Sequence, residues 1–355
     1  MTIELRIAQD SDAGEWDEII GKSAQGTLFH TWNWLKITEK HTQTKLYPVI
    51  GMQDGTPVAV IPLFSQKKGL VTMVFSPPPH ASLFYLGPAF INYDSLKQDR
   101  KEHLYTDFLE SVEAFLNNVL HATYISISLS PDLPDPRPFA WSGYSIEPQY
   151  DYITDVSQGT DYLLHTLDKK QRQGLNRAIN RGMSVELGGK KDFETILDLM
   201  DYRYKEQEKV VTESREYFQD IYDSYKDYLK IFVAKAEGEI ISGCIDFHYR
   251  DTHFSWIGNP RPKKPISPSP NDLLMWESVR YAHEHGCRYY VTMSAAGNQR
   301  LHKYYSAKFN PTLIVRYLTI KKSLSAKISE TAYRKILKPL RGKLNYYFSV
   351  GKISD

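Results

Sequence analysis

The stretch Leu167 to Gly182, LDKKQRQGLNRAINRG, concentrates Lys169, Lys170, Arg172, Arg177 and Arg181 against one acid, Asp168. At about 100° per residue, Arg177 and Arg181 share a helix face as an i, i+4 pair, with Leu163, Leu167, Leu175 and Ala178 near the opposite side. Paired guanidinium forks suit phosphate or carboxylate oxygens, and a solvated basic face is the equal alternative. The remaining chemistry-bearing residues are less organised. The chain contains no G-x-x-x-x-G-K-[ST], H-E-x-x-H or G-x-S-x-G, which removes the chemistries those motifs serve. Two cysteines, Cys244 and Cys287, cannot build a disulfide framework or a four-ligand zinc site, and their apolar surroundings mark them as inert core. His283 and His285 fall on different faces of a helix. His248 and His253 flank a hairpin turn without a cysteine or carboxylate set to complete a ligand shell, so no metal is expected.

The elements that must position these residues repeat. A strand at Ile3–Ile7 leads to a helix carrying Trp16, Ile19 and Ile20, and a second helix spans Trp32–Lys40. Strands at Lys45–Met52 and Pro57–Ser65 flank Asp54-Gly55 as a hairpin, and a further pair is expected at Val71–Phe75 and Ser82–Leu86. A helix over Arg100–Leu120 and a strand over Tyr124–Leu129 complete the first half. Four prolines between Pro131 and Pro138 mark a connection, and Tyr150–Val156 resumes as a strand. The second half runs helix Leu163–Arg181, a strand at Val185, helices Lys191–Tyr204 and Glu216–Tyr225, and a meander Leu229–Ala236, Ile240–Tyr249 and His253–Gly258. Helix Asn271–His285 and strand Arg288–Met293 follow. Helices, meander, helix and strand thus occur twice, the signature of a tandem α/β duplication with a mostly antiparallel mixed sheet.

The whole chain, 355 residues with 41% hydrophobic, 24% charged and 13% aromatic residues, has a globular composition that excludes wholesale disorder, collagen and coiled coil. A net charge of +2 gives no overall bias toward nucleic acid. The charge is nevertheless uneven: nine Lys and Arg lie between Lys321 and Lys352 against Glu330 alone, interleaved with Leu324, Ile328, Ile336, Leu337, Leu340, Leu344 and Phe348. That pattern is a basic amphipathic helical tail, docked on the body by its apolar stripe or set against an anionic membrane surface or RNA. With neither an apolar leader core at the N-terminus nor a run of about 18 apolar residues, the expected location is cytoplasmic, with the tail allowing a peripheral position at the inner membrane face.

Several segments taken in order carry a resemblance. LDKKQRQGLNRAINRGMSVELG, IFVAKAEGEIISGCIDFHYRDTHFSWIGN, PNDLLMWESVRYAHEHG and RLHKYYSAKFN, preceded by GTLFHTWNWLKITEKHT, YPVIGMQDGTPVAVIPL and YLGP, resemble the FemABX-like peptidyltransferases and their relatives of acyltransferase fold. The resemblance covers nearly the whole chain to about residue 320. It implies two tandem GNAT-like domains, 1–156 and 157–320, followed by the tail 321–355. It also implies transfer of an acyl or aminoacyl group onto an amine of a cell-envelope-type or other acceptor, small-molecule or glycopeptide-like. The implied donor is aminoacyl-tRNA or acyl-CoA, with no tightly bound cofactor.

Carried across by position, Trp34 and Lys36 fall in the family's W-x-K, where the lysine helps hold the acceptor's nucleotide diphosphate. Tyr217 and Trp256 stand where the family places aromatic cleft residues, and Tyr305 and Lys308 lie in the segment like its F-K-x-x-F-G, whose lysine suits developing negative charge. Lys308 is therefore the expected catalytic residue. Lys36, Trp34, Tyr217, Trp256, Arg177, Arg181 and Tyr305 are the expected substrate-binding set.

The sequence departs from the family at Ser306, where its lysine belongs, at Ser130, where a compared member has a carboxylate, and at Tyr290-Val291-Thr292, where many relatives carry an Asp. The loop Gly258–Asn271, GNPRPKKPISPSPN, has five prolines and none of the glycine pattern that cradles a CoA pyrophosphate, although Arg261, Lys263 and Lys264 could receive phosphate. An acyl-CoA-dependent transferase of surface-polysaccharide synthesis and a non-catalytic binding protein that docks through the tail are the two alternatives.

Overall fold

A computed structural model describes residues 3–69, 71–258, 260, 266–293 and 299–323. The first half contains β1 (Glu4–Ile7), α1 (Ala13–Gly21), α2 (Trp32–Thr42), β2 (Lys45–Gln53), β3 (Thr56–Lys68), β4 (Val71–Ser76), β5 (Ala89–Phe90), α3 (Gln98–Asn118), β6 (Tyr124–Ser128), α4 (Arg137–Trp141) and β7 (Ser145–Asp155). The second contains α5 (Thr160–Thr166), α6 (Lys169–Asn180), β8 (Ser184–Leu187), α7 (Lys190–Glu206), α8 (Arg215–Tyr225), β9 (Leu229–Ala236), β10 (Glu239–Tyr249), β11 (Thr252–Ile257), α9 (Asn271–Glu284), β12 (Tyr289–Thr292), α10 (Gln299–Tyr305) and β13 (Thr312–Lys322).

The expected duplication is present as a mixed α/β architecture. In each half an antiparallel meander ends in a strand that crosses over through a helix to a parallel neighbour, β4 through α3 to β6 and β11 through α9 to β12. The meander hairpins close in the same way. Asp54 and Gly55 have φ of 49° and 75°, and Glu237 and Gly238 have 53° and 81°, so both turns take the left-handed pair that matches strand twist. Among the described residues the two sheets are fused into one of thirteen strands, in the order β1-β2-β3-β4-β6-β13-β7-β12-β11-β10-β9-β8, with β5 on β3. The cause is an exchange of last strands: β7 pairs with β12 of the other half, β13 pairs with β6, and the two pair with each other from Thr312↔Ile153 to Ile320↔Ser145.

Burial follows the same plan. One cluster is shared between halves, with Trp16, Phe29 and Trp34 packed against Phe247, Phe254 and Trp256. A second packs α3 on the first half's sheet, and a third packs α5, α6 and α9 on the second half's. Arg250, in the β10–β11 turn, fixes the two halves further by donating to the carbonyls of Ile20 (2.8 Å), Gly21 (3.0 Å) and Ser23 (3.1 Å) at the end of α1. That basic side chain satisfies acceptors a helix end leaves open.

Four sequence expectations change. Ser82–Leu86 is not a strand: His80 and Ser82 adopt φ of 62° and 46°, and the segment packs Tyr85 and Leu86 into the core as a loop. Leu163–Arg181 is two helices, because Asp168 accepts from Gln171 N (2.7 Å) in a capping box that starts α6 afresh. The strand expected at Tyr150–Val156 is β7, beginning at Ser145. Lys321 and Lys322 belong to β13 rather than to a helical tail; the rest of that tail, and Arg261, Lys263 and Lys264, lie outside the described residues. Among the described residues no helix is long and apolar enough to cross a membrane.

Candidate active site

β11 and β12 pair in parallel only from Thr252↔Tyr289 to Ser255↔Thr292. Trp256 and Ile257 continue the strand past the last pair, and the connections leaving both strands start from this end of the sheet. The first turn of α9 and the end of α10 are thereby brought together. Asp272 Oδ1 accepts from Tyr304 Oη (2.7 Å) and pairs with Lys308 Nζ (3.1 Å), whose ammonium also lies 5.2 Å from the Tyr304 ring centroid. Lys308 is buried, at 6% exposure, next to Phe309, whose ring lies tilted 5.8 Å from that of Trp276. Gln171 Nε2 donates to Ala307 O (3.0 Å), tying α6 to the same loop. Tyr305, half-buried, has its phenol pushed up to about 12 by burial and the nearby Asp246 carboxylate, so it stays a neutral donor at physiological pH. Behind it, Asp246, Ser278 and His253 form a fully buried polar cluster.

The other expected site residues fall in three separate places. Trp34 and Tyr217 have no exposed surface, and Trp256 is 5% exposed, so these rings belong to the shared core rather than to an open cleft wall. Trp34 lies 4.9 Å from Phe29 and 5.9 Å from Trp256. Tyr217 Oη donates to Ala81 O (2.7 Å) and Trp256 Nε1 to Ser82 O (3.0 Å), so both pin the first half's 77–88 loop onto the second half. Lys36 is on the exposed side of α2, held by Glu39 (3.0 Å) and Asp10 (3.6 Å), which raise its pKa. The α6 face loses two of its five cations to structure: Arg172 caps the end of α5 through Leu167 O and His165 O, and Arg181 donates to Ser267 O. Arg177, Lys169 and Lys170 remain exposed.

Asp272 and Tyr304, which hold Lys308, were not singled out in the sequence. Neither spacing nor composition could mark them, because they meet Lys308 only through the return of the chain along β12 and α10. A cleft of about 200 Å³ between α7, α8 and the loop joining them was also missed; Met200, Tyr204, Arg215 and Phe218 line it. Arg215 is already engaged there by Glu194 and by Asp198 at 3.1 Å.

Residues 169–300 match the family described as "Acetyltransferase (GNAT) domain". No curated protein matches the sequence. Among solved structures, one titled "Crystal structure of FemX" superposes with a TM-score of 0.66 at 14% identity, covering 94% of this chain and 99% of that one. A tandem GNAT protein from the clavulanic acid biosynthesis pathway gives 0.55 at 13% identity, with 90% and 97% covered. The L-PGS structure from Bacillus licheniformis gives 0.53 at 15% identity, with 91% and 96% covered. At these identities the likeness is one of fold, and it extends over the full tandem arrangement. The GNAT match includes the parting of β11 and β12 and the start of α9, and ends inside α10 just short of Lys308.

Proposed function

We propose that the protein is an N-acyl or aminoacyl transferase that moves an activated group onto an amine of a cell-envelope-type acceptor, with the reaction at the mouth where β11 and β12 part. The observation that carries this reading is the buried Lys308 ammonium at that mouth, oriented by Asp272 and Tyr304 within a GNAT-type crossover. A neutral acceptor amine attacks the donor's ester carbonyl. Its carbon–oxygen π bond opens to a tetrahedral oxyanion, and the ester oxygen leaves with a proton from the amine. An ammonium donor in a site poor in water stabilises the oxyanion more than the ground-state carbonyl, and holding the two reactants together supplies much of the remaining rate.

The features around α9 favour an aminoacyl-tRNA donor over acyl-CoA. Asp272 puts a carboxylate in the first turn, where the helix dipole would otherwise attract pyrophosphate, and Pro260, Pro262, Pro265, Pro268 and Pro270 offer no N–H groups. The exposed Arg177, Lys169 and Lys170 on α6 would meet the tRNA backbone. Thermal shift tests the donor, because a ligand of the native state raises its melting temperature. Charged tRNA should raise it and uncharged tRNA should not. A rise with acyl-CoA thioesters alone would assign the donor to CoA chemistry, and no rise with either panel would favour a non-catalytic binding protein.

A further inference from the structure

At the opposite end of β11 from this mouth, three side chains that sequence spacing does not connect meet around one point. His248 and His253 face each other in register across the β10–β11 turn, with ring centroids 6.2 Å apart. α9 stops at Gly286, whose φ of 77° reverses the chain so that Cys287 N donates to Ala282 O (2.9 Å). Arg288 N and Tyr289 N then donate to Asp251 O (2.7 and 3.0 Å), which pins the α9–β12 loop to the turn. As a result one ligand atom each from His248, His253 and Cys287 lies within 4.8 Å of the others.

His253 gives this grouping a direction. The residue is fully buried; its Nε2 faces Asp246 Oδ2 (3.3 Å) and Ser278 Oγ (3.2 Å), while its Nδ1 is buried without a hydrogen-bond partner. An imidazole that donates from Nε2 to a carboxylate carries its lone pair on Nδ1. Such a carboxylate–histidine pair fixes the tautomer and basicity of a metal-ligating ring. Leaving that lone pair unmet in the core is otherwise an unrecovered loss.

We propose that His248, His253 and Cys287 bind a zinc-like divalent cation, with Asp246 orienting His253. Two imidazoles and a thiolate suit a borderline-soft, tetrahedral ion, and the half-buried His248 leaves a side open for entry and for a water as fourth ligand. Zinc–donor bonds of about 2.0–2.3 Å place tetrahedral donors roughly 3.3–3.7 Å apart, so closing the site takes side-chain adjustment and no change of fold. Because the site clamps the meander to the crossover strand away from the mouth, it does not depend on the transferase reading.

The test uses the full, tag-free chain stripped with chelator and titrated with Co²⁺, then with Zn²⁺. One equivalent of Co²⁺ should give a near-ultraviolet thiolate-to-metal charge-transfer band that Zn²⁺ displaces, and Zn²⁺ should raise the melting temperature. Cys287→Ser should abolish the band and Cys244→Ser should keep it. His248→Ala, at a half-buried position that leaves the core intact by circular dichroism, should weaken binding at least about tenfold. Absence of the band in the wild-type chain, its persistence in Cys287→Ser, or unchanged affinity in folded His248→Ala would overturn the proposal.

Discussion

The exchanged strands β7 and β13 are joined at their centre by a buried ion pair, and removing one partner should be costly. Arg316 Nε lies 2.8 Å from Asp151 Oδ2, and Nη1 donates to Phe84 O (3.0 Å) and Ser128 Oγ (2.9 Å); the two side chains are 6% and 2% exposed. Arg316→Met keeps most of the volume but takes the guanidinium away from the buried Asp151 carboxylate, while Ser128 Oγ still donates to Phe84 O (2.8 Å). Breaking a buried pair in this way costs about 3–5 kcal/mol, where an exposed pair would cost about 0–1. At about 2 °C per kcal/mol for a large chain, the melting temperature should fall by roughly 6–10 °C. The double variant Arg316→Met/Asp151→Leu removes the carboxylate as well and should regain at least half of the loss in urea unfolding followed by circular dichroism. A single variant within about 1 kcal/mol of wild type, or a double variant whose losses simply add, would refute the claim that this pair locks the halves together.

Three further outcomes follow from the same geometry. Lys308→Ala should lower kcat by about 10²–10³ with little change in KM, and unchanged turnover would remove the oxyanion role. His30 is fully buried and accepts from Thr27 N (3.2 Å), and burial lowers its pKa to about 4 from the ordinary 6.5. The unfolded chain therefore binds the proton more readily than the fold: this stability is complete above pH 6.5, is lost as pH falls toward 4, and amounts to about 2 kcal/mol lost by pH 5. Urea midpoints at pH 7 and 5 measure it, and His30→Gln should flatten the difference; an equal slope in that variant would place the acid sensitivity elsewhere. Gly243→Ala would put a Cβ 2.6 Å from the Ile196 side chain and 2.7 Å from Phe232 O, forcing α7 off β10 at a cost of about 1–3 kcal/mol by denaturant titration. A neutral effect there would show that α7 is not packed at that contact.

Local chemistry made much of the fold legible before any coordinates. Asp54-Gly55 and Glu237-Gly238 specify their turns in four letters, and the apolar spacing of Trp32–Lys40 and Asn271–His285 places two helices. What stayed hidden was non-local. Nothing within β7 or β13 announces that each leaves its own half to pair with the other, and Ser82–Leu86 reads as a strand until Tyr85 and Leu86 are found buried in a loop. The site divides in the same manner. Aromatic type does not separate cleft wall from core, so Trp34, Tyr217 and Trp256 were assigned to substrate while the structure uses them to join the halves. Resemblance alone singles out Lys308 as a candidate, whereas Asp272 and Tyr304, which contact it, are visible only in the fold. Arg172 and Arg181 carry the right charge for an anion, yet their guanidinium groups are taken by backbone carbonyls.

The central claim, transfer of an activated group to an amine, is tested most directly by incubating the purified chain with labelled aminoacyl-tRNAs and amine acceptors and following the label. The label should leave the base-labile tRNA ester and appear in a base-stable amide, at a rate that Lys308→Ala depresses. Label that stays on tRNA with every acceptor, or that moves equally fast in the variant, would contradict it.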